Sequence, residues 1–240
     1  MRYLLITIIC LTVLSCQSPN KDTTSFKVSY NGTLKGIMKN ADISAKVDLS
    51  EFKSTKNFYA LGAVENLKGE IQIFNSKPYI TSEKKNVLRI DTTFSKKATL
   101  LVYASVEKWE SISIPDNIIS YEDLEDFIEK AADKQGINTN EPFPFLLGGV
   151  IGSFDWHVIN WKDGDTIHTH KKHKTSGMNG TMNNREVEML GFYSNSHHAI
   201  FTHHTTNMHI HVKTGDNGVA GHVDELFLEN GMTLKLPSIK

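Results

Sequence analysis

Apolar and polar positions divide the chain into many short runs with the two-residue period of a strand and one long run with the period of a helix. Phe26–Tyr30 alternates and opens the folded part as a strand; Ser50–Lys56 follows as a helix or a turn. Within Asn57–Ile80, Glu70–Phe74 reads as a strand, Asn75-Ser76 as a turn, and a second strand runs through Tyr79. Strand geometry puts Glu70, Gln72 and Phe74 on one face and Ile71 and Ile73 on the other, so isoleucines in the core would turn Glu70 toward a cavity or solvent. Val87–Ile90 and Thr99–Val106 continue the strand pattern.

Asn117–Gly136 carries the one helical pattern. Ser120 is its N-cap, and Glu122, Asp123 and Glu125 sit in the first turns near the positive end of the dipole. Leu124, Phe127, Ile128 and Ala131 form the apolar stripe, and Gly136 stops it. Asn138–Pro144 is the expected junction between two halves. Beyond it Phe145–Trp161 is a Gly-rich approach to a strand carrying His157. Lys162–Asn184 reads as a hairpin with a long mobile loop, whose T-I-H-T-H-K-K-H run (His168, His170, His173) is a solvated strand end. Val187–Tyr193, Ala199–His203, Met208–Lys213, Val219–Leu226 and Thr233–Leu236 complete an antiparallel set of strands. The predicted fold is α+β: two mostly antiparallel β-sheet halves, few helices, and a C-terminal barrel-like sheet. The expected boundaries are 26–140 for the β-rich N-terminal half with its helix and 141–240 for the His-rich C-terminal half.

Composition changes this picture in three places. The formal net charge of the 240 residues is −1 and the lysines are scattered, which excludes an electrostatic nucleic-acid surface. All 11 histidines fall between His157 and His222, and imidazole is the commonest metal ligand. Both cysteines, Cys10 and Cys16, lie near the N-terminus, so the folded part is expected to have no thiol for a disulfide, a redox pair or a nucleophile.

Met1–Cys16 has one positive residue ahead of an apolar run too short to span a membrane, the form of a secretory signal. Its end, Val13-Leu14-Ser15-Cys16, resembles a bacterial lipobox. The expectation is a signal peptide over 1–15, a lipid on Cys16, a polar tether over 16–25, and a lipid-anchored protein of the bacterial cell envelope. Loss of Met1–Ser15 removes Arg2 and moves the formal charge from −1 to −2.

The densest chemistry lies in Asn207–Leu226, N-M-H-I-H-V-K-T-G-D-N-G-V-A-G-H-V-D-E-L. His209 and His211 alternate on a strand and so point the same way. A hairpin through Thr214–Gly218 would bring His222 opposite them. Three imidazoles with an open fourth position are the protein share of a catalytic zinc site. His203 and His204 carry no assigned role.

Two blocks together resemble the α-acetolactate decarboxylase family. One runs from Gly62-Ala63 through Leu67 to Gly69-Glu70 and Tyr79; the other is H-I-H-V-K-T-G-D-N-G-V-A-G-H-V-D, preceded by M-L-G-F-Y. The chain looks like a divergent, lipoprotein member. The resemblance implies zinc on His209, His211 and His222 and a catalytic Glu70. It also shows two departures. His157, in S-F-D-W-H-V-I, stands where the family has an active-site arginine, and Leu236–Lys240 shows no counterpart of a C-terminal family glutamate.

The implied activity is zinc-dependent decarboxylation of 2-acetolactate, or a related 2-hydroxy-3-oxo acid, to acetoin. Zinc would serve as electron sink, Glu70 as proton donor, and His157 would take part of the arginine's role. The expected partners are that small acid and, through the lipid, a membrane; a homodimer stays open. Two alternatives are a non-catalytic envelope metal-binding lipoprotein and a cupin-like metal oxygenase. The second is disfavoured by Gly215 and Asp216, where a cupin places a glutamate.

Overall fold

The computed structural model describes residues 26–239; the expected signal peptide, the lipid site Cys16 and the tether residues 17–25 lie outside it. Thirteen strands and three α-helices follow in order. The first part is β1 (Ser29–Asn31), α1 (Leu34–Asn40), β2 (Val47–Asp48), β3 (Phe58–Val64), β4 (Glu70–Phe74), β5 (Lys77–Glu83), β6 (Leu88–Asp91) and β7 (Lys97–Ser105). Next come β8 (Trp109–Ser113), α2 (Tyr121–Gln135), β9 (Phe143–His157), α3 (His170–Thr175), β10 (Asn179–Tyr193), β11 (Met208–Thr214), β12 (Ala220–Phe227) and β13 (Thr233–Pro237).

The strands make two sheets. The first has the order β1-β7-β3-β4-β5-β6, with β2 paired to β7. The second runs β10-β11-β12-β9-β13-β8, and β9 also pairs with β10 along its full length. The pairings of β9, β10, β11 and β12 therefore close on themselves, which is the barrel-like part of the predicted α+β fold. β8 belongs to this second sheet through β13.

The expected strand Glu70–Phe74 forms with those limits, and the turn after it uses left-handed backbone at Asn75 and Ser76 (φ 48° and 64°), the conformation a two-residue hairpin needs. Ile71 and Ile73 pack with Leu49, Phe58 and Leu101 in a small core on the outer face of the first sheet. A larger core joins the other face to the second sheet and α2. Glu70 and Gln72 thus point between the sheets and are buried there. Gly69 makes the close approach possible. At φ +151° a Cβ on it would lie 2.1 Å from the Thr81 carbonyl oxygen, so β4 could not start against β5 with any larger residue.

α2 begins at Tyr121, four residues inside the expected start, because Ser120 and Asp123 form a reciprocal capping box; Gly136 ends it in the left-handed conformation. Its role exceeds packing. Glu125 accepts hydrogen bonds from the backbone N–H of Asn207 (2.9 Å) and from its side-chain amide (3.1 Å), pinning the entrance to β11.

Three expectations about the chain between β9 and β11 need correction. The Gly/Asn-rich stretch is not a loop: from Asn179 it is the start of β10, whose carbonyls and amides pair with β9. The His-rich run before it is not a strand end but contains α3, capped by Thr169, and His168 is buried in a stack on Trp161 with ring centroids 4.2 Å apart. Ala199–His203 is a turn with one isolated bridge rather than a strand. Phe201 and Thr202 are buried there without a neighbouring strand to pair with.

Candidate metal centre

β11 and β12 form the predicted hairpin, with His211 directly opposite His222 and β12 paired on its other edge to β9, so that His157 stands opposite His222 in turn. Gly221 permits this approach, since a Cβ there would lie 2.6 Å from the His157 carbonyl oxygen. The structure brings His209, His211 and His222 together. Nε2 of His209 lies 3.2 Å from both His211 Nε2 and His222 Nδ1. One nitrogen from each ring falls within 4.8 Å of the others, so the three could hold a metal ion.

The surroundings put these rings in the form that binds metal. Burial holds His209 down at about 3 and, with the neighbouring imidazoles, holds His211 and His222 well below the ordinary histidine range. They are therefore neutral at physiological pH, with lone pairs available. Gln72, from the first sheet, fixes the tautomer of His211. Its amide nitrogen donates to the Tyr79 carbonyl and to Thr81 Oγ1, so its oxygen faces His211 Nδ1 at 3.1 Å and accepts that proton. The His211 lone pair is left on Nε2, inside the triad, as in the outer hydrogen bonds that orient metal-ligating histidines. His209 Nδ1 is buried short of a full hydrogen bond, with the Phe201 carbonyl as its neighbour. A set of three neutral imidazoles fits a divalent, borderline-soft ion with an open position.

Glu70 reaches this cluster from the other sheet. Its Oε2 lies 3.7 Å from His211 Nε2, and its Oε1 accepts a hydrogen bond from the Ile159 N–H at 3.2 Å. Burial pushes its carboxyl up to about 7, against the opposing pull of His157 and that N–H. Desolvation disfavours the charged form and here outweighs both. His157 is held between two carboxyl groups. Its Nδ1 lies 3.0 Å from Asp224 Oδ2 and its Nε2 faces Glu70 Oε1 at 3.8 Å. Asp224 occupies the irregularity in the β12–β9 pairing between Val223 and Glu225, which turns its carboxylate toward the site. Asp224 and Gln72 had no assigned role in the sequence. The only signals were Gln72 sharing a face with Glu70 and the Asp two residues beyond His222.

A cavity of about 550 Å³ opens over these groups. Apolar side chains including Leu34, Ile37, Leu67 and Val223 form part of its wall, and Glu70, His157, His209, His222 and Asp224 supply its polar part. Its mouth is lined by Lys171 and Lys174 of α3 and by His203 and His204.

The same fold occurs in solved structures. Alpha-acetolactate decarboxylase from Bacillus subtilis strain 168 superposes with a TM-score of 0.68 over 88% of this chain and 85% of that one, at 13% identity. A Staphylococcus aureus protein of unknown function similar to alpha-acetolactate decarboxylase superposes with a TM-score of 0.66 over 87% and 84%, also at 13% identity. No match is found among curated proteins. At sequence level the family model for alpha-acetolactate decarboxylase matches residues 23–239, a span that takes in both sheets, Glu70 and all three histidines of the triad. The chain belongs to the alpha-acetolactate decarboxylase family.

Proposed function

We propose that the protein is a zinc-dependent decarboxylase that converts 2-acetolactate, or a related 2-hydroxy-3-oxo acid, to acetoin and carbon dioxide. The observation that carries the reading is the convergence of a buried Glu70 from one sheet on three imidazoles from the other. His209 and His211 through Nε2, and His222 through Nδ1, would hold the zinc ion. Zinc bound there supplies Lewis acidity toward the ketone and hydroxyl oxygens of the substrate.

The remaining work falls to the chain's own residues. Loss of carbon dioxide leaves an electron pair on carbon, and one proton must be returned to that carbon to give acetoin. Burial raises the Glu70 carboxyl to about 7 in the metal-free site, so it can take up a proton near neutral pH and donate it. His157 donates Nδ1–H to Asp224, which leaves its Nε2 lone pair turned to Glu70. At 3.8 Å this is outside direct hydrogen bonding, so proton exchange between the two needs a small side-chain movement or one water. Ile159 N–H holds the Glu70 carboxyl in place meanwhile.

The test is direct: zinc-loaded protein given racemic 2-acetolactate should release acetoin and carbon dioxide in equal amounts, and His211→Ala should lose both metal and turnover. One tight zinc per chain with no turnover over a broad pH range would overturn the substrate while leaving the metal centre. Several weak, exchangeable ions would favour a metal-binding lipoprotein instead.

We further propose that the protein is anchored in the cell envelope by a lipid on Cys16, on the strength of Val13-Leu14-Ser15-Cys16. Cys16→Ala should abolish labelling by a palmitate analogue and release the protein from the membrane fraction; labelling unchanged in the variant would refute it.

A further inference from the structure

We propose that His170 and His203, with His204 beside them, form a loading site at the cavity mouth that passes the metal ion inward to His222. This rests on the reading of His209, His211 and His222 as the resident metal ligands. His170 opens α3 and His203 and His204 lie on the turn ahead of β11, so two separate connections deliver them to one mouth. The His170 and His203 rings lie with centroids 4.4 Å apart, and His204 lies 5.7 Å from His170. His203 is then 6.0 Å from His222. The triad supplies its own yardstick: its rings are spaced by 5.0 to 5.3 Å. The mouth rings therefore stand at separations that bracket those of a set able to share an ion.

Their chemistry fits the same purpose. None of the three makes a side-chain hydrogen bond within the described residues, unlike His157, His168, His197 and His198, which are all engaged. Exposure falls inward, from His170 and His204 at the surface to half-buried His203 and on to the enclosed triad. Asp224, Glu225 and Glu70 place carboxyl groups in the cavity, against the ammonium groups of Lys171 and Lys174 at its rim.

An incoming hydrated ion must exchange waters for protein ligands. The close His170–His203 pair at the mouth replaces fewer waters than the three imidazoles of the triad, so the ligand count rises inward and transfer runs downhill. Because the three mouth residues do not form a compact set of ligand atoms, the site holds an ion in passing rather than as a resident.

Cobalt is the probe, because four-coordinate Co²⁺ absorbs visibly and its arrival at the triad can be timed. Chelator-stripped full-length protein is mixed with Co²⁺ in a stopped-flow instrument. His203→Phe keeps the ring packing but removes the nitrogens; His170→Gln, at an exposed position, leaves the core untouched. Both should reach one cobalt per chain with the wild-type spectrum, but with loading slowed on the order of tenfold, the loss expected when a site no longer concentrates its ligand. Wild-type loading rates in both variants would overturn the proposal, and so would a changed final spectrum in His203→Phe, which would make His203 a ligand of the resident ion. Failure of the underlying reading looks different: the absorption band would be missing in the wild type, or would persist in His211→Ala.

Discussion

Two histidine-rich regions meet at the cavity, and they are built on opposite principles. In the β11–β12 hairpin each ring is placed by a strand register, with His211 opposite His222 and Gln72 holding the His211 ring from the facing sheet. At the mouth, α3 and the turn before β11 place His170, His203 and His204, with no side-chain hydrogen bond to their nitrogens among the described residues. Sheet pairing on both sides of β12 and burial of His209 and His211 hold the hairpin in place. A resident ion needs the first arrangement and an ion in transit needs the second, so histidine content alone distinguishes nothing.

That comparison can be broken most severely at Glu70, which serves the hairpin cluster and has no counterpart at the mouth. Glu70→Gln keeps the shape and the Ile159 hydrogen bond but has no transferable proton. Turnover should fall by about 10²- to 10⁴-fold, the usual worth of a positioned general acid, while bound zinc measured by mass spectrometry stays at the wild-type level. Loss of zinc along with activity would show that Glu70 supports the metal rather than the proton transfer.

A smaller effect is expected at Gln72. Gln72→Leu removes the acceptor of His211 Nδ1 and leaves a buried donor unpaired, which should weaken zinc about 10- to 100-fold in a competitive chelator titration. Unchanged affinity would mean that burial alone orients the ring.

The smallest effect is on the stability of the metal-free protein toward acid. His209 and His173 at about 3 and His203 at about 4 stand below the ordinary value of 6.5, chiefly through burial. The unfolded chain takes up these protons first, so stability present above about pH 6.5 is lost as the pH falls through the folded values. Glu70 opposes them. Its carboxyl is raised from 4.5 to about 7, so its contribution is present at low pH and is lost as the pH rises through about 7. The Tm should therefore fall by a few degrees between neutral pH and about pH 5, with three histidines outweighing one carboxyl. In Glu70→Gln, which lacks the opposing group, the drop should be larger. An increase in Tm over that interval would contradict the neutral buried imidazoles.

Much of the local structure was legible in the chain. The alternation around Ile71 and Ile73 placed Glu70 on the correct strand and face. The Ser120 cap and Gly136 stop bounded the helix to within a few residues. The spacing of His209, His211 and His222 around a Gly-rich turn anticipated their convergence. These succeed because side-chain direction on a strand or helix repeats with a short period, and a tight turn fixes the register of its two strands. Pattern reading failed at Ala199–His203, where Phe201 and Thr202 are buried without a ladder. It failed again at Asn179, where polar and Gly-rich residues are held in β10 by pairing with β9.

What only the tertiary structure decided is how the two sheets face each other. Gln72 and His211 are 139 residues apart, and nothing in either segment specifies the other; their contact follows from a core shared across both sheets. The same packing ties His157 to Asp224 and Glu70, where the sequence showed only a histidine in place of an arginine. Short-period patterns determined which residues could do chemistry. Long-range burial, which leaves no periodic trace, decided which of them do it together.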